Sequence, residues 1–227
     1  MFGFGKKQSP LKEVSEKHLN RIVDYTCISP LITKKELERM MCVAYKNKYK
    51  SIVVNPINIE FARTFIDIKL KSTIGLVSVI GYPLGETPTE VKLFEIKKAL
   101  GDGADELDVM LAVSRIKMND WGYIKNEISR IMKACKKHVV KVIVESSSLT
   151  KGELTKVCSL CAKYRVNYVQ TSSGFLNGGA TIEDVELIKT TCQGRCEAKA
   201  SGGIENRTQA LVMLRAGATR IGTSREI

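Results

Sequence analysis

Residues 139–170 read VVKVIVESSSLTKGELTKVCSLCAKYRVNYVQ and contain one complete strand–helix–strand unit. The run from Val139 to Glu145 is rich in valine and isoleucine, which is typical of a strand that is buried on both faces. An amphipathic segment over residues 151–163 predicts a helix, and Asn167–Gln170 predicts the next strand. A helix between two short apolar strands is the repeating unit of a parallel sheet, so this stretch predicts an α/β protein.

The same alternation continues in both directions along the chain, after an opening helix predicted over Leu11–Ile22. Eight strands in 227 residues favour a (β/α)8 barrel, or TIM barrel, over an open doubly wound sheet. No linker or internal repeat divides residues 1–227, so one domain is expected. The helix after the eighth strand is the least supported element, because the sequence stops at Ile227. The predicted strands are Val23–Cys27, Ser51–Val54, Leu76–Ile80, Glu106–Met110, Val139–Glu145, Asn167–Gln170, Arg195–Ala200 and Thr219–Gly222. The predicted helices that follow the opening one are Lys34–Tyr45, Ile57–Phe65, Thr89–Leu100, Ile124–Lys136, Lys151–Lys163, Ile182–Thr190 and Thr208–Ala216.

The composition is that of a globular domain. Hydrophobic residues make up 44% of the chain, and no stretch approaches the roughly 20 apolar residues that cross a membrane. The opening segment Met1–Lys7 has no apolar run long enough for a signal peptide. We therefore expect a soluble cytoplasmic protein without a membrane partner.

The net charge of +12 indicates an anionic partner, and we favour a phosphorylated small molecule. Lysines cluster at Lys46–Lys50 and Lys133–Lys137, where predicted helices end and cations interact favourably with the helix dipole. Nucleic-acid binding is the alternative, but no aromatic-rich or helix-turn-helix pattern accompanies the charge. A solvated basic surface is therefore the preferred interpretation of both clusters.

Four of the seven cysteines have spacings that a zinc site could use, namely Cys158-x-x-Cys161 and Cys192-x-x-x-Cys196. Cys158 and Cys161 fall inside a predicted amphipathic helix, where a spacing of three places both on one face. Free cysteine is more often a small buried hydrophobic residue. We therefore expect reduced thiols and no metal.

Charged and amide side chains are predicted on the inner faces of four neighbouring strands, because side chains alternate along a strand. Charges inside a barrel are costly unless they are paired or functional. The cluster therefore predicts either a catalytic site or a structural ion-pair network. The uncharged amide of Gln170 would not take part in such a network. The members of the cluster are Glu106, Asp108, Lys141, Gln170, Glu197 and Lys199.

Small residues follow three consecutive strands, at Gly174, Gly202-Gly203 and Ser224. In barrels of this kind the loops at the carboxyl ends of the last strands often bind phosphate through backbone amides. Glycines also serve tight turns, but three such loops side by side favour a phosphate site.

Several segments in order along the chain resemble the deoxyribose-phosphate aldolase family. The resemblance implies a barrel that joins acetaldehyde to glyceraldehyde 3-phosphate reversibly, as a lyase, with no metal or other cofactor. The matching segments include GDGADELD at 101–108, KVIVE at 141–145, YVQTSSGF at 168–175, AKASGG at 198–203 and RIGTS at 220–224.

The resemblance also implies roles for individual residues. Position 170 corresponds to the family lysine that forms a Schiff base with the substrate, and here it is Gln170, whose amide is not nucleophilic. Lys199 corresponds to the neighbouring lysine that lowers the pKa of that amine, Asp108 to the aspartate of the proton relay, and Lys141 to a lysine close to the aspartate. Gly174, Gly202, Gly203 and Ser224 correspond to phosphate-binding positions.

Further departures surround the same site. Asp24-Tyr25-Thr26-Cys27 stands where Asp-His-Thr-Leu is common, Ala112 where asparagine is common, and Glu197 where glycine is usual. A carboxylate at Glu197 is expected to favour the charged form of Lys199. Two functions remain open: an enzyme with altered or weakened lyase chemistry, or a catalytically silent sugar-phosphate-binding or regulatory paralogue. The second would act as a homodimer or beside an active partner.

Overall fold

The computed structural model describes residues 16–227, so residues 11–15 of the predicted helix Leu11–Ile22 lie outside the described range. Its described part is a short helix, α1, over Glu16–Asn20. Eight parallel strands follow and close into a barrel in which β8 pairs with β1. The strands are β1 (Val23–Cys27), β2 (Ser51–Val54), β3 (Gly75–Ile80), β4 (Glu106–Met110), β5 (Val139–Ile143), β6 (Tyr168–Gln170), β7 (Glu197–Ser201) and β8 (Arg220–Thr223).

The predicted (β/α)8 barrel is therefore confirmed, and the strand boundaries differ by no more than two residues. The largest differences are at β5, which ends at Ile143 rather than Glu145, and at β7, which begins at Glu197 rather than Arg195. Glu145 has a left-handed backbone with φ of 51°. A residue in that conformation cannot continue an extended strand.

The helices alternate with the strands and cover the outside of the barrel. Those after α1 are α2 (Lys34–Lys46), α3 (Ile59–Thr64), α4 (Thr89–Gly101), α5 (Val113–Lys117), α6 (Trp121–Cys135), α7 (Lys151–Lys163), α8 (Ile182–Cys192) and α9 (Arg207–Ala216). A π-helical segment, Phe65–Leu70, continues α3. Thr150 and Glu153 form a reciprocal capping box at the start of α7, which explains why its predicted limits match.

Helix α5 is absent from the sequence-based prediction because a distant contact holds it in place. Glu86 accepts hydrogen bonds from the backbone N–H and the hydroxyl of Ser114. The acceptor comes from the loop before α4, so no local capping residue marks this helix. Ala112, just before α5, is buried, and its backbone N–H donates a hydrogen bond to Oε2 of Glu127 at 3.3 Å.

The apolar core lies between the barrel and the helices, while charged residues occupy the barrel interior. One ion pair crosses the apolar layer: Lys92 of α4 lies 2.7 Å from Glu127 of α6, and both side chains are fully buried. Lys92 also donates to the Met110 carbonyl at 2.8 Å. Burial raises the pKa of Glu127 despite the attraction of Lys92. This pair ties two neighbouring helices to the carboxyl end of β4.

Candidate active site

A cavity of about 580 Å³ opens at the carboxyl ends of the strands. This is the end at which TIM barrels carry their active sites. Its volume lies within the usual range for small-molecule pockets. Six of the predicted site residues line it: Asp108, Gln170, Gly174, Gly202, Gly203 and Ser224. Lys141 and Lys199, the other two, are buried inside the barrel.

Gln170 ends β6, and its Cα atom is the register partner of Lys199 on β7. The side chain is 5% exposed. Its Nε2 donates to the Ser172 carbonyl oxygen at 3.1 Å. Its Oε1 is buried and has no hydrogen-bond partner among the described residues. An amide therefore lies at the inner end of the cavity with one polar atom unpaired.

Lys199 is held by two carboxylates. Its Nζ lies 2.6 Å from Oδ2 of Asp108 and 2.8 Å from Oδ2 of Asp24. A glycine on the next strand makes room for it, because a Cβ atom at Gly222 would lie 3.2 Å from Lys199 Cε. Two carboxylates at this distance stabilise an ammonium rather than a neutral amine.

The interior charges form a single network of three cations and three carboxylates. Lys141 binds Asp108 at 2.8 Å and Glu106 at 2.7 Å. Arg220 binds Asp24 at 2.8 Å and Glu106 at 3.1 Å. Asp24 also accepts a hydrogen bond from Ser51 at 2.5 Å. The members are Asp24, Glu106, Asp108, Lys141, Lys199 and Arg220, so their formal charges balance.

Inside this network the pKa of an acidic group is lowered and the pKa of a basic group is raised. Burial by itself raises the pKa of Asp24, but the surrounding cations outweigh burial and hold that pKa well below its usual range. Burial likewise lowers the pKa of Lys141, and the neighbouring carboxylates reverse this and raise it. Burial also lowers the pKa of Arg220, and Asp24 and Glu106 outweigh burial and raise it. Asp24, Lys141 and Arg220 are therefore stabilised in their charged forms at neutral pH.

Two members of the network, Asp24 and Arg220, were missed as interior charges by the sequence analysis, and one predicted member was wrong. The alternation argument was applied to four central strands only. Extended to β1 and β8, it would have placed Asp24 and Arg220 on inward faces. Glu197, by contrast, is exposed at the start of β7 and accepts a hydrogen bond from the Thr219 hydroxyl at 3.3 Å. It therefore does not supply the carboxylate predicted beside Lys199.

Tyr82 and Phe175 form an aromatic wall of the cavity. Their rings meet edge to face with centroids 5.4 Å apart. The Tyr82 hydroxyl donates to the Ser173 carbonyl, and the Ser173 N–H donates to Glu145. Burial, reinforced by the charges of Asp108 and Glu145, raises the pKa of Tyr82. These contacts join the loop after β3 to the loop after β6.

Two of the glycines predicted to bind phosphate have left-handed backbones next to open space. Gly174 and Gly203 have φ of 82° and 73°, and a Cβ atom at either would meet nothing within 4 Å. Residues with a side chain rarely adopt such φ values. Glycine at both positions therefore keeps the space next to the backbone open. Ser224 is exposed on the neighbouring loop. The arrangement can present backbone N–H groups to an anion.

The cysteines offer neither a metal site nor a reactive thiol in the cavity. Among residues 16–227, no group of three or more His, Cys, Asp or Glu is placed to hold a metal ion. Cys158, Cys161, Cys192 and Cys196 are buried free thiols. Cys27 lines the cavity, but burial raises the pKa of its thiol to about 12. Thiolate is the nucleophilic form, so Cys27 is a poor nucleophile at neutral pH.

In the described part of the chain, no helix combines the length and hydrophobicity needed to cross a membrane. Lys46, Lys48 and Lys50 lie at or after the end of α2 and are exposed. Lys48 and Lys50 line a second cavity, together with Arg21, Tyr45 and other residues. This basic cluster is separate from the residues that line the larger cavity.

The chain has close relatives across nearly its whole length. It is 40% identical to deoxyribose-phosphate aldolase of Thermococcus kodakarensis over 213 residues, which cover 93% of this chain and 95% of the relative. No protein-family model matches it.

Solved structures agree with the sequence relatives. The structure named "QR15, an Aldolase" matches with a TM-score of 0.85 and 34% identity over 91% of each chain. A tetrameric deoxyribose-phosphate aldolase from Aeropyrum pernix matches with a TM-score of 0.83 and 30% identity, over 92% of this chain and 88% of that one. The sequence identity, its coverage and the shared barrel together show that this chain belongs to the deoxyribose-phosphate aldolase family.

Proposed function

We propose that this chain binds a phosphorylated sugar or aldehyde in the larger cavity and acts on it without forming a Schiff base. The amide of Gln170 at the position of the family's imine-forming lysine carries this proposal. An amide nitrogen is neither basic nor nucleophilic, so the covalent step has no amine at this position. Ordinary aldolase turnover is then lost or strongly reduced.

The contacts of Lys199 support a noncovalent role for that residue. Attack on a carbonyl requires a neutral amine, whereas Lys199 is 1% exposed and bound to the carboxylates of Asp24 and Asp108. A fixed ammonium next to Asp108 can stabilise developing negative charge or orient the carboxylate. Asp108 lines the cavity and is the group best placed to exchange a proton with a ligand.

A catalytically silent binding protein is the second candidate, and the closed ion network favours it. Both oxygens of Asp108 are already paired, Oδ1 with Lys141 at 2.8 Å and Oδ2 with Lys199 at 2.6 Å. Both carboxylate oxygens are therefore engaged by cations inside the barrel. Such a network preserves a rigid cavity even if no reaction takes place in it.

Measurements of ligand binding and of turnover on the same protein distinguish the enzyme from the silent binding protein. Calorimetric titration with 2-deoxyribose 5-phosphate tests the cavity, and Ser224→Glu should abolish the signal by placing a carboxylate at the phosphate loops. A coupled retro-aldol assay tests turnover. A rate near ~1 s⁻¹ or above, within the ordinary enzyme range, would contradict loss of the covalent route. Binding without any turnover would favour the silent protein.

Assembly and location belong to the same proposal. The tetrameric relative from Aeropyrum pernix supports association of this chain with further copies, whereas pairing with an active paralogue stays a prediction. The cytoplasmic location predicted from the sequence stays a prediction. Light scattering of the purified chain tests self-association.

A further inference from the structure

We infer that the ligand of the larger cavity presents a hydroxyl group, and not an aldehyde carbonyl, to Gln170, so that its class is a phosphorylated alcohol or the cyclic form of a sugar phosphate. This inference rests on the proposed function, because it specifies the ligand of the same cavity. It depends on the orientation of one amide and on the hydrogen-bonding character of the groups beside it.

The orientation of the Gln170 amide is fixed by the Ser172 carbonyl oxygen. That oxygen accepts from Gln170 Nε2 at 3.1 Å and from the Ser201 hydroxyl at 2.5 Å. A flipped amide would bring Gln170 Oε1 against the same carbonyl, and two acceptors facing each other repel. The amide oxygen is therefore the polar atom of Gln170 that has no partner.

This oxygen lacks a partner although it is removed from water. Gln170 lines the cavity, and its Oε1 is buried with no hydrogen bond among residues 16–227. A buried acceptor without a donor carries a desolvation cost that a ligand donor can remove. The cost supplies a driving force for a ligand that brings an N–H or O–H group to this point.

The other polar groups close to this end of the cavity do not favour a carbonyl oxygen. Asp108 offers only acceptor atoms, and its two cationic partners already bind other carboxylates as well. The Tyr82 hydroxyl is donated to the Ser173 carbonyl. An aldehyde oxygen is an acceptor with no proton to give, whereas a hydroxyl can donate to Gln170 Oε1.

The loops at Gly174, Gly203 and Ser224 line the same cavity, and a Cβ atom at either glycine would meet nothing within 4 Å, which leaves room for a phosphate. A ligand that carries both a phosphate and a hydroxyl group therefore satisfies these loops and Gln170. The volume of about 580 Å³ accommodates a five-carbon sugar phosphate, since pockets for small molecules span roughly 300–1,000 Å³.

The test is a matched pair of ligands that differ only in the terminal hydroxyl. One is 2-deoxyribitol 5-phosphate, and the other is the 1,2-dideoxy analogue, which has a methyl group at C1. Calorimetric titration of the wild-type protein should show that the analogue binds about 10- to 100-fold more weakly, because it leaves the buried acceptor unpaired. Equal affinities for the two ligands would overturn the inference.

The variant Gln170→Met locates the effect at this residue. Methionine has a similar length and no comparable acceptor, so the difference between the two ligands should shrink to about twofold or less. A preference for the hydroxyl that persists in Gln170→Met would also overturn the inference, because another group would then accept the hydrogen bond. The wild-type comparison decides the matter even if this variant does not fold.

Failure of the proposed function gives a different result. If neither ligand binds the wild-type protein, the cavity is not a sugar-phosphate site, and both proposals are wrong. If both bind with equal affinity and Ser224→Glu weakens both, the phosphate site stands and only the requirement for a hydroxyl at Gln170 is wrong.

Discussion

Gln170 and Lys199 are register partners on adjacent strands, yet only Gln170 lines the cavity. Lys199 is directed into the ion network, where Asp24 and Asp108 hold its ammonium group. The two positions that the family resemblance assigns to a nucleophile and its neighbour thus have different surroundings in this chain. Gln170 lines the cavity but has no reactive amine. Lys199 has an amine but does not line the cavity.

Restoring an amine at position 170 should restore imine chemistry. In Gln170→Lys, borohydride reduction in the presence of an aldehyde substrate should add mass to the peptide that contains residue 170. Asp108 and Lys199 remain in place to assist, so weak aldolase activity is also expected. Mass spectrometry of tryptic digests measures the adduct, with Gln170→Met as the unreactive control. An adduct on Lys199 in the wild-type protein would instead assign the covalent role to Lys199.

Among the residues of the network, substitution of Asp24 should lower the free energy of unfolding most, because Asp24 contacts three cations. Replacing it in Asp24→Asn leaves buried positive charge uncompensated, and we expect a loss of about 3–5 kcal/mol in the free energy of unfolding. The matched control is Asp102→Asn, which breaks a surface pair with Lys98 and should cost about 1 kcal/mol or less. Urea denaturation measures both. Similar losses in the two variants would contradict this account.

The stability of the protein should fall in acid partly through Asp24. The folded-state pKa of this carboxyl is held below its usual range, so below pH ~4 the unfolded chain takes up a proton that the folded chain does not. The contribution of ionised Asp24 to the free energy of unfolding is present in full above about pH 5 and is lost progressively as the pH falls.

The contribution of Asp24 is isolated by comparing the wild-type protein with Asp24→Asn. Between pH 7 and pH 3 the difference in unfolding free energy between the two should shrink by about 1 kcal/mol. Urea titrations at both pH values measure it. A difference that stays constant with pH would show that folding does not lower the pKa of Asp24.

Gly222 should be intolerant of a methyl group. In Gly222→Ala the new Cβ atom would lie 2.8 Å from Ser201 Cβ and 3.2 Å from Lys199 Cε, and overpacking of this kind costs about 1–3 kcal/mol. Gly101→Ala is the control, because a Cβ atom there meets nothing within 4 Å. Thermal denaturation compares the two variants. Equal melting temperatures would mean that β8 shifts to accommodate the methyl group.

The fold was largely predictable because each strand and most helices carry their own local signal. The valine-rich run that forms β5 and the capping box at Thr150 are examples. Helix α5 was not predictable, since Glu86 holds Ser114 from another loop. The charged interior was predicted in part: alternation identifies inward faces, but it does not show that Glu197 lies at the exposed start of its strand.

The sequence could not predict which charged residues form ion pairs inside the barrel, because such pairs also depend on contacts between distant segments. Arg220 and Glu106 are far apart in the chain, and only closure of the barrel brings them to 3.1 Å. The unpaired oxygen of Gln170 likewise depends on the direction of one amide, which the Ser172 carbonyl sets. Such details follow from three-dimensional contacts and not from residue type or spacing.

The balanced charges of the barrel interior have a consequence for how such proteins diverge. Gln170 is uncharged and forms no ion pair with a described residue, so its replacement by another neutral side chain leaves the sum of the network charges at zero. The stabilising network and the residue that meets the ligand are therefore independent targets of mutation. A scaffold built in this way can exchange one neutral residue at the ligand for another while the ion pairs that stabilise the barrel interior stay in place.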